Sequence, residues 1–436
     1  MLVSIFVFVI VYALMITEKL DRTAAAVFGA AAVLLLHGVP YEEALAHIDL
    51  DVILLLIGMM MSVDILAQTG LFEWVAIYIA QRARGNPLVI LLGLLSATAL
   101  LSAFLDNVTT VVLMAPVTIL ITQILELPTV SFLTLSVLFS NIGGTATLIG
   151  DPPNIIIGAR SGLSFNAFLL HLTPAVLLCM GAVFIGIFVL KGNTFKTSPA
   201  LRTRIMKASP SKAILDPRRL KRGLLVFFCI LVGFSASRFL GVQPGIIAIA
   251  GGFCMVLLTR SDLRSALIKV EWETILFLMG LFMLVGALEH NGLFEQVARF
   301  VFGLTQGHLF ATTLLVLWCS ALLSAFFGNI PVVIAMIPLV NSIITSTQLE
   351  INGDPQVMAA FVAGPLWWSL ALGACFGGNG TLYGAAANVV VSQIAKHNGY
   401  RIAFVDFLRF SVPVTLLTLV ISSLYIYLRY FIFSPL

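Results

Sequence analysis

The chain has 436 residues, 60% of them hydrophobic and only 10% charged, with a formal net charge of +4. A mean hydropathy of +1.08 excludes an ordinary soluble domain and fits a polytopic helical membrane protein. The apolar runs show almost no strict alternation, which argues against a β-barrel, and no P-loop motif occurs that would support ATP hydrolysis by this chain.

In chain order, spans are expected near 2–17, 22–38, 51–68, 130–159 and 166–190, then near 223–240, 243–259, 273–289, 358–395 and 407–430. The start, Met1-Leu2-Val3-Ser4-Ile5, has neither a charged n-region nor a small-residue cleavage site, so it reads as a first spanning helix rather than a removable signal. Segments 88–125 and 307–345 are each two apolar arms around a polar tip and read as re-entrant hairpins. Segments 130–159 and 358–395 carry internal polar breaks and read as broken helices. Glu73 and Glu295 each follow Gly-Leu-Phe and read as the start of an amphipathic helix along the interface. The expected fold is thus all-α: two inverted repeats, about ten transmembrane helices, two re-entrant hairpins and two broken helices. The first repeat is assigned to 1–190 and the second to 223–436.

Ten Lys/Arg crowd the linker 191–222: Lys191, Lys196, Arg202, Arg204, Lys207, Lys212, Arg218, Arg219, Lys221 and Arg222. The positive-inside rule places this linker in the cytoplasm; a topology determinant explains it better than nucleic-acid binding. With five crossings per half, both termini are then expected outside. Lys19, Arg22, Arg82, Arg84, Arg260, Arg264, Lys269, Lys396 and Arg401 fall inside. Loop 39–50, with Glu42, Glu43 and Asp49, falls outside, as does loop 346–357. Arg160, Arg238 and Arg299 land outside, against the rule.

The halves repeat. Ser102-Ala103-Phe104-Leu105-Asp106-Asn107 returns 222 positions later as Ser324-Ala325-Phe326-Phe327-Gly328-Asn329, and prolines follow at Pro116 and Pro338. Gly70-Leu71-Phe72-Glu73 returns at the same offset as Gly292-Leu293-Phe294-Glu295. Beyond the hairpins the offset becomes 234, matching Gly143-Gly144 to Gly377-Gly378, Thr147 to Thr381, Gly150 to Gly384 and Asn154 to Asn388. An odd number of crossings per copy inserts the second half upside down relative to the first.

The polar breaks carry the chemistry. The first combines the tip Asp106-Asn107-Val108-Thr109-Thr110 with the run from Asn141 to Asn154, which contains Gly143, Gly144, Thr145, Thr147 and Asp151. Two adjacent glycines followed by Gly-Asp-Pro-Pro are not expected to continue a helix. Backbone unpaired at that depth costs several kcal/mol per group unless it meets protein, water or a ligand. Freed carbonyls and threonine hydroxyls suit a hard cation, with Asn107, Thr109 and Thr145 as the candidate sodium ligands, and half-helix N-termini suit an anion. Asp106 and Asp151 are the carboxylates expected to titrate; for each, helix capping is the competing role. Asp64 is a further embedded acid and a candidate proton carrier, although Gly286 stands at its repeat position. The second break has Asn329 and Pro331 at the tip, with Gly377, Gly378, Asn379, Thr381 and Asn388, and no acid: Gly328 replaces Asp106 and Ala385 replaces Asp151. The five cysteines lie in apolar runs without paired or metal-like spacing and read as packing residues, Cys375 alone bordering a break. The six histidines sit near span ends and receive no role.

At these residues the chain resembles the arsenite-permease and P-protein branch of the ion transporter superfamily. The likeness rests on the runs at 102–110 and 141–154, on Val270-Glu271-Trp272, Asn329-Ile330-Pro331, the run 377–382 and Asn388, and covers nearly the whole chain. Relatives in that superfamily include arsenite-efflux permeases, the melanosomal P protein, sodium/proton antiporters and, more distantly, divalent-anion/sodium symporters. The resemblance implies a scaffold domain and a moving transport domain, a homodimer and an elevator motion. It points to sodium and substrate binding at Asn107, Thr109, Thr110, Gly144, Thr145, Asn329, Asn379 and Thr381. It also allows a separate ATPase subunit. Gly328 departs from it, because relatives of the P protein often carry Asp before Asn-Ile-Pro.

The expected function is ion-coupled secondary transport of a small inorganic ion or oxyanion in a bacterial or archaeal inner membrane, driven by Na⁺ or H⁺ and without another cofactor. A sodium/proton antiporter is the alternative within that class. A passive channel and an intramembrane aspartyl protease are remoter alternatives. Substrate and direction are not read from the residues.

Overall fold

The computed structural model describes residues 2–17, 20–191, 198, 201–202, 206, 210–305, 307–351 and 359–433. Lys19 and, in the basic linker, Lys196, Arg204 and Lys207 lie outside the described residues. The described chain is helical throughout, as a backbone in hydrocarbon must be if every N–H and C=O is to find a partner within its own segment.

The first half runs α1 Leu2–Thr17, α2 Arg22–Leu35, α3 Tyr41–Ala46, α4 Leu50–Ala67, α5 Leu71–Arg82, α6 Pro87–Phe104, α7 Asn107–Leu125, α8 Thr129–Gly144, α9 Pro152–Ser161 and α10 Phe165–Lys191. The second runs α11 Pro217–Leu240, α12 Pro244–Thr259, α13 Leu263–Ile268, α14 Trp272–His290, α15 Leu293–Thr305, α16 Leu309–Phe327, α17 Asn329–Ile351, α18 Gly364–Gly377, α19 Ala386–His397 and α20 Phe404–Ile426. Local chemistry sets many of the starts. Asp21, Asn86 and Asp216 accept from backbone N–H groups of the first turn, and Pro87 and Pro217 take the position where a missing N–H costs nothing.

Among the described residues, nine helices are long and apolar enough to cross a membrane, including both arms of each hairpin. At 18 residues, α6 is about 27 Å long, so length alone does not separate a re-entrant arm from a span. The hairpin tips are instead marked by their contacts with the broken helices. Three details differ from the sequence expectation. Helix α17 continues to Ile351, so the expected loop 346–357 begins as helix, and 352–358 lie outside the described residues. Loop 39–50 contains the short helix α3. Gly143 and Gly144 are the last helical turn of α8 rather than part of the break, which narrows to residues 145–151. They serve close packing: a Cβ on Gly143 would lie 2.1 Å from the Ala99 carbonyl oxygen, and one on Gly144 would lie 2.6 Å from that of Gly150.

The helices pack in two groups. In one, α4 crosses α12 and α2 crosses α14. In the other, hairpin α6–α7 packs on α8, hairpin α16–α17 packs on α18, and α19 packs on α7 and α8. Contacts within both groups obey a two-fold relation. A Cβ on Gly58 of α4 would strike the Ala248 carbonyl of α12 at 2.2 Å, and one on Gly280 of α14 would strike the Ala26 carbonyl of α2 at 2.9 Å. Gly58 and Gly280 are 222 apart, as are Ala26 and Ala248. Each half thus lends a helix to the other half's crossing. In the hairpin group, Gly377 repeats the Gly143 approach, with its Cβ position 2.3 Å from the Ala321 carbonyl.

Candidate functional site

Each break is tied to its own hairpin by a threonine. Thr147 donates to the Ala103 carbonyl and accepts from the N–H groups of Ile149 (3.3 Å) and Gly150 (3.2 Å). Thr381 donates to the Ala325 carbonyl at 2.5 Å. Asparagines hold the carbonyls that the breaks release. Asn154 donates to Thr145 O (3.0 Å) and Thr147 O (2.8 Å), and Asn388 donates to Gly378 O and Thr381 O, both at 2.9 Å. The breaks thus bond several of their own released carbonyls through their threonines and asparagines.

The two breaks are then joined reciprocally. Asn141 donates to Asn388 Oδ1 at 3.0 Å, and Cys375, its repeat counterpart, donates to Asn154 Oδ1 at 3.7 Å. Asn141 also donates to Asn379 Oδ1 at 2.8 Å, and Asn379 donates to the Leu138 carbonyl at 3.2 Å. All six side chains from Asn141, Asn154, Cys375, Asn379, Asn388 and Asp151 are completely buried.

At the centre stands Asp151. Asn107, at the first hairpin tip, donates to Asp151 Oδ1 at 3.2 Å and to Asn141 Oδ1 at 3.0 Å. Asn329, at the second tip, donates to Asp151 Oδ1 at 3.1 Å and lies 3.4 Å from Oδ2. One carboxylate thus joins the two tips. It does not cap α9, whereas Asp106 caps α7 by accepting from the Thr109 N–H at 2.8 Å. The sequence leaves capping as the competing role for both acids; the geometry assigns the cap to Asp106.

A small cavity opens beside these groups. Asp106, Asn107, Asp151, Asn329, Glu271 and Thr274 supply its polar lining, with no lysine, arginine or histidine, and Met60 is among the apolar residues. Glu271 was not singled out as a site residue from sequence. It precedes α14, does not cap it, accepts from Thr274 Oγ1 at 3.1 Å and brings a third acid from the other helix group. Among the described residues the acids do not converge as a metal-ligand cluster, and the ion pairs lie elsewhere. A carboxylate buried without a cationic partner costs several kcal/mol unless a proton or cation neutralises it.

The other sequence candidates fall outside this cavity. Thr145 donates to Asn141 O at 2.8 Å, and Thr109 and Thr110 follow Asn107 along α7. Of the three residues read as sodium ligands, Asn107 alone lines the cavity. Asp64 accepts from Gln68 Nε2 at 2.6 Å near the end of α4. The Pro331 carbonyl accepts from Tyr12 of α1 at 3.0 Å, a contact between the helix groups that no local pattern announces.

Two repeats exchanging helices around paired hairpins and broken helices define the chain as a helical membrane transporter. Solved structures share the architecture. The crystal structure of the Alcanivorax borkumensis YdaH transporter matches with a TM-score of 0.59 and 13% identity, over 85% of this chain and 84% of that one. MtrF of Neisseria gonorrhoeae, described within a class of antimetabolite efflux pumps, matches with a TM-score of 0.62 and 10% identity, over 92% and 85%. At such identities the likeness is one of fold. Residues 12–363 match the profile of CitMHS, the citrate transporter family, and the chain belongs to that family within the ion transporter superfamily. A 46 kDa membrane protein of Mycobacterium leprae is 41% identical over 99% of both chains. An uncharacterized transporter of Mycobacterium tuberculosis is 42% identical over 99% of both. The human P protein is 33% identical over 95% of this chain and 58% of its own length.

Proposed function

We propose that the chain is an ion-coupled secondary active transporter of a small inorganic ion or oxyanion, in which a proton or sodium ion taken up at Asp151 permits an elevator movement of the hairpin group. One observation carries this: a fully buried carboxylate, without an ion pair among the described residues, receives an amide from each repeat at 3.2 and 3.1 Å. Charged, the site is costly to carry across a low-dielectric barrier; neutralised, it is far less so. That difference couples the movement to the ion. Asn107 and Asn329 hold the carboxylate between the tips, while Asp106, capping α7, and Glu271, across the cavity, favour cations over anions at its mouth.

The family description, citrate transporter, supports an oxyanion or carboxylate cargo. An acid-lined cavity favours cargo that is neutral, as arsenite is near neutral pH, or that enters with a cation. A second reading, sodium/proton antiport, is favoured by the three acids at the cavity and the absence of a base among its lining residues. The bacterial relatives support placement in a bacterial inner membrane. There we place the chain as a homodimer, termini outside and linker 191–222 inside, with an ATPase subunit as an optional partner.

Purified protein in proteoliposomes tests this with arsenite, citrate, phosphate and sulfate under imposed proton or sodium gradients. Uphill accumulation of one of them, abolished by collapsing the driving gradient, is expected. Downhill flux alone would leave a channel, and sodium/proton exchange without cargo flux would leave the antiporter.

A further inference from the structure

Away from the cavity, a second crevice separates the two helix groups, lined by Arg160 and Ile156 of α9, by Phe282, Val285 and Glu289 of α14 and by Asn341 of α17, among others. Arg160 is one of the three residues expected on the outer side against the charge rule. It belongs to the broken helix, yet its partners are in the other group. Its Nε lies 3.5 Å from Asp49 Oδ2, its Nη2 donates to the His47 carbonyl at 2.5 Å, and its guanidinium sits 5.6 Å from the centre of the Phe282 ring. Asp49 is fixed as the N-cap of α4 through the N–H groups of Asp51 and Val52, which leaves Oδ2 for Arg160.

The two-fold relation shows what this contact means. At offset 222, Asp49 corresponds to Glu271 and Phe282 to Met60; at offset 234, Arg160 corresponds to Ile394. Glu271 and Met60 both line the acid cavity. At one end of the interface, then, acid and apolar partner are bridged by arginine. At the equivalent place in the other half, acid and apolar partner face an open cavity, and the residue matching the arginine is isoleucine.

We propose that Arg160 is a positioning residue that latches the hairpin group to the α4 and α14 helices at the Asp49 end, so that the carrier rests with the Asp151 cavity exposed at the opposite end. The inference rests on the elevator reading above: movement of α9 past α4 and α14 must break this contact, and Ile394 cannot form an equivalent ion pair in the opposite state. Arg160 thereby biases which state is populated without touching the cargo.

The test is the rate at which a membrane-impermeant thiol reagent modifies Ile337→Cys, buried in the crevice, in full-length protein in proteoliposomes, with Val108→Cys, half-buried at the acid cavity, as reporter for the opposite end. Arg160→Ala removes the latch. Asp49→Asn removes its charge while keeping a residue that caps α4 well. Either substitution is expected to raise labelling at position 337 about tenfold, the equivalent of one charge-assisted contact, with the double variant showing no further increase. Labelling at position 108 is expected to fall in parallel. Unchanged labelling at 337 in both single variants, or additive effects in the double variant, would overturn the latch. A rise at both reporters would mean that the groups loosen rather than exchange ends, which overturns the elevator reading while leaving the contact itself intact.

Discussion

Replacing Asp151 with asparagine separates coupling from folding. Asn107 and Asn329 both donate to Oδ1, Asn329 also lies 3.4 Å from Oδ2, and the Cys375 thiol bonds the carboxylate as well. An asparagine whose Oδ1 takes the place of the carboxylate's keeps both bonds. Each changes from charge-assisted to neutral, a loss of about 1 kcal/mol apiece, and removal of a buried charge offsets it. Thermal unfolding in detergent should therefore move little, by the equivalent of about 2 kcal/mol or less. Transport should not survive so well. A side chain that is permanently neutral no longer distinguishes loaded from empty, so gradient-driven accumulation should fall by about 100-fold, the equivalent of roughly 3 kcal/mol of ion-dependent stabilisation. Exchange of cargo without a gradient should persist. A D151N protein that accumulates cargo at the wild-type rate, with unchanged dependence on the proton or sodium gradient, would refute the reasoning.

Other substitutions probe the scaffold of the site. Thr147→Val and Thr381→Val each strand a hairpin carbonyl, costing about 1–3 kcal/mol, and Thr147→Val should lower the unfolding temperature more because it also loses the acceptor for Ile149 and Gly150. Gly143→Ala and Gly377→Ala should reduce the yield of monodisperse protein on size exclusion, since backbone blocks the new methyl at 2.1 and 2.3 Å; Gly181→Ala, with nothing within 4 Å, is the control. Gly328 adopts φ 90° and ψ 153°, a region essentially confined to glycine, so Gly328→Ala should cost about 1–3 kcal/mol in thermal unfolding.

The architecture was legible because membrane helices and their interruptions are written in composition. The repeat was legible because Gly, Asn, Thr and Pro keep their spacing on both sides of the linker. What each break residue does was less so. The glycine pair reads as a helix breaker, yet Gly143 and Gly144 are helical and conserve space against Ala99 and Gly150. Two acids beside helix starts look alike in sequence, and only the position of the second hairpin tip makes Asp151 the meeting point and leaves Asp106 as a cap. Glu271 was visible in Val270-Glu271-Trp272, but Asp106 and Asp151, the acids with which it shares the cavity, lie in the other half, beyond the reach of any local pattern. Arg160, expected on the outer side against the charge rule, finds its partners in Asp49, His47 and Phe282, which no local pattern links to it.

The most direct measurement is the concentration dependence of transport on its driving ion in Asn107→Ala and Asn329→Ala, each in proteoliposomes beside the unaltered protein. Both amides reach the same oxygen from opposite repeats, at 3.2 and 3.1 Å, so both variants should need about tenfold more driving ion, by similar amounts. If either variant keeps the unaltered ion dependence, the two halves do not share one carboxylate in the working carrier.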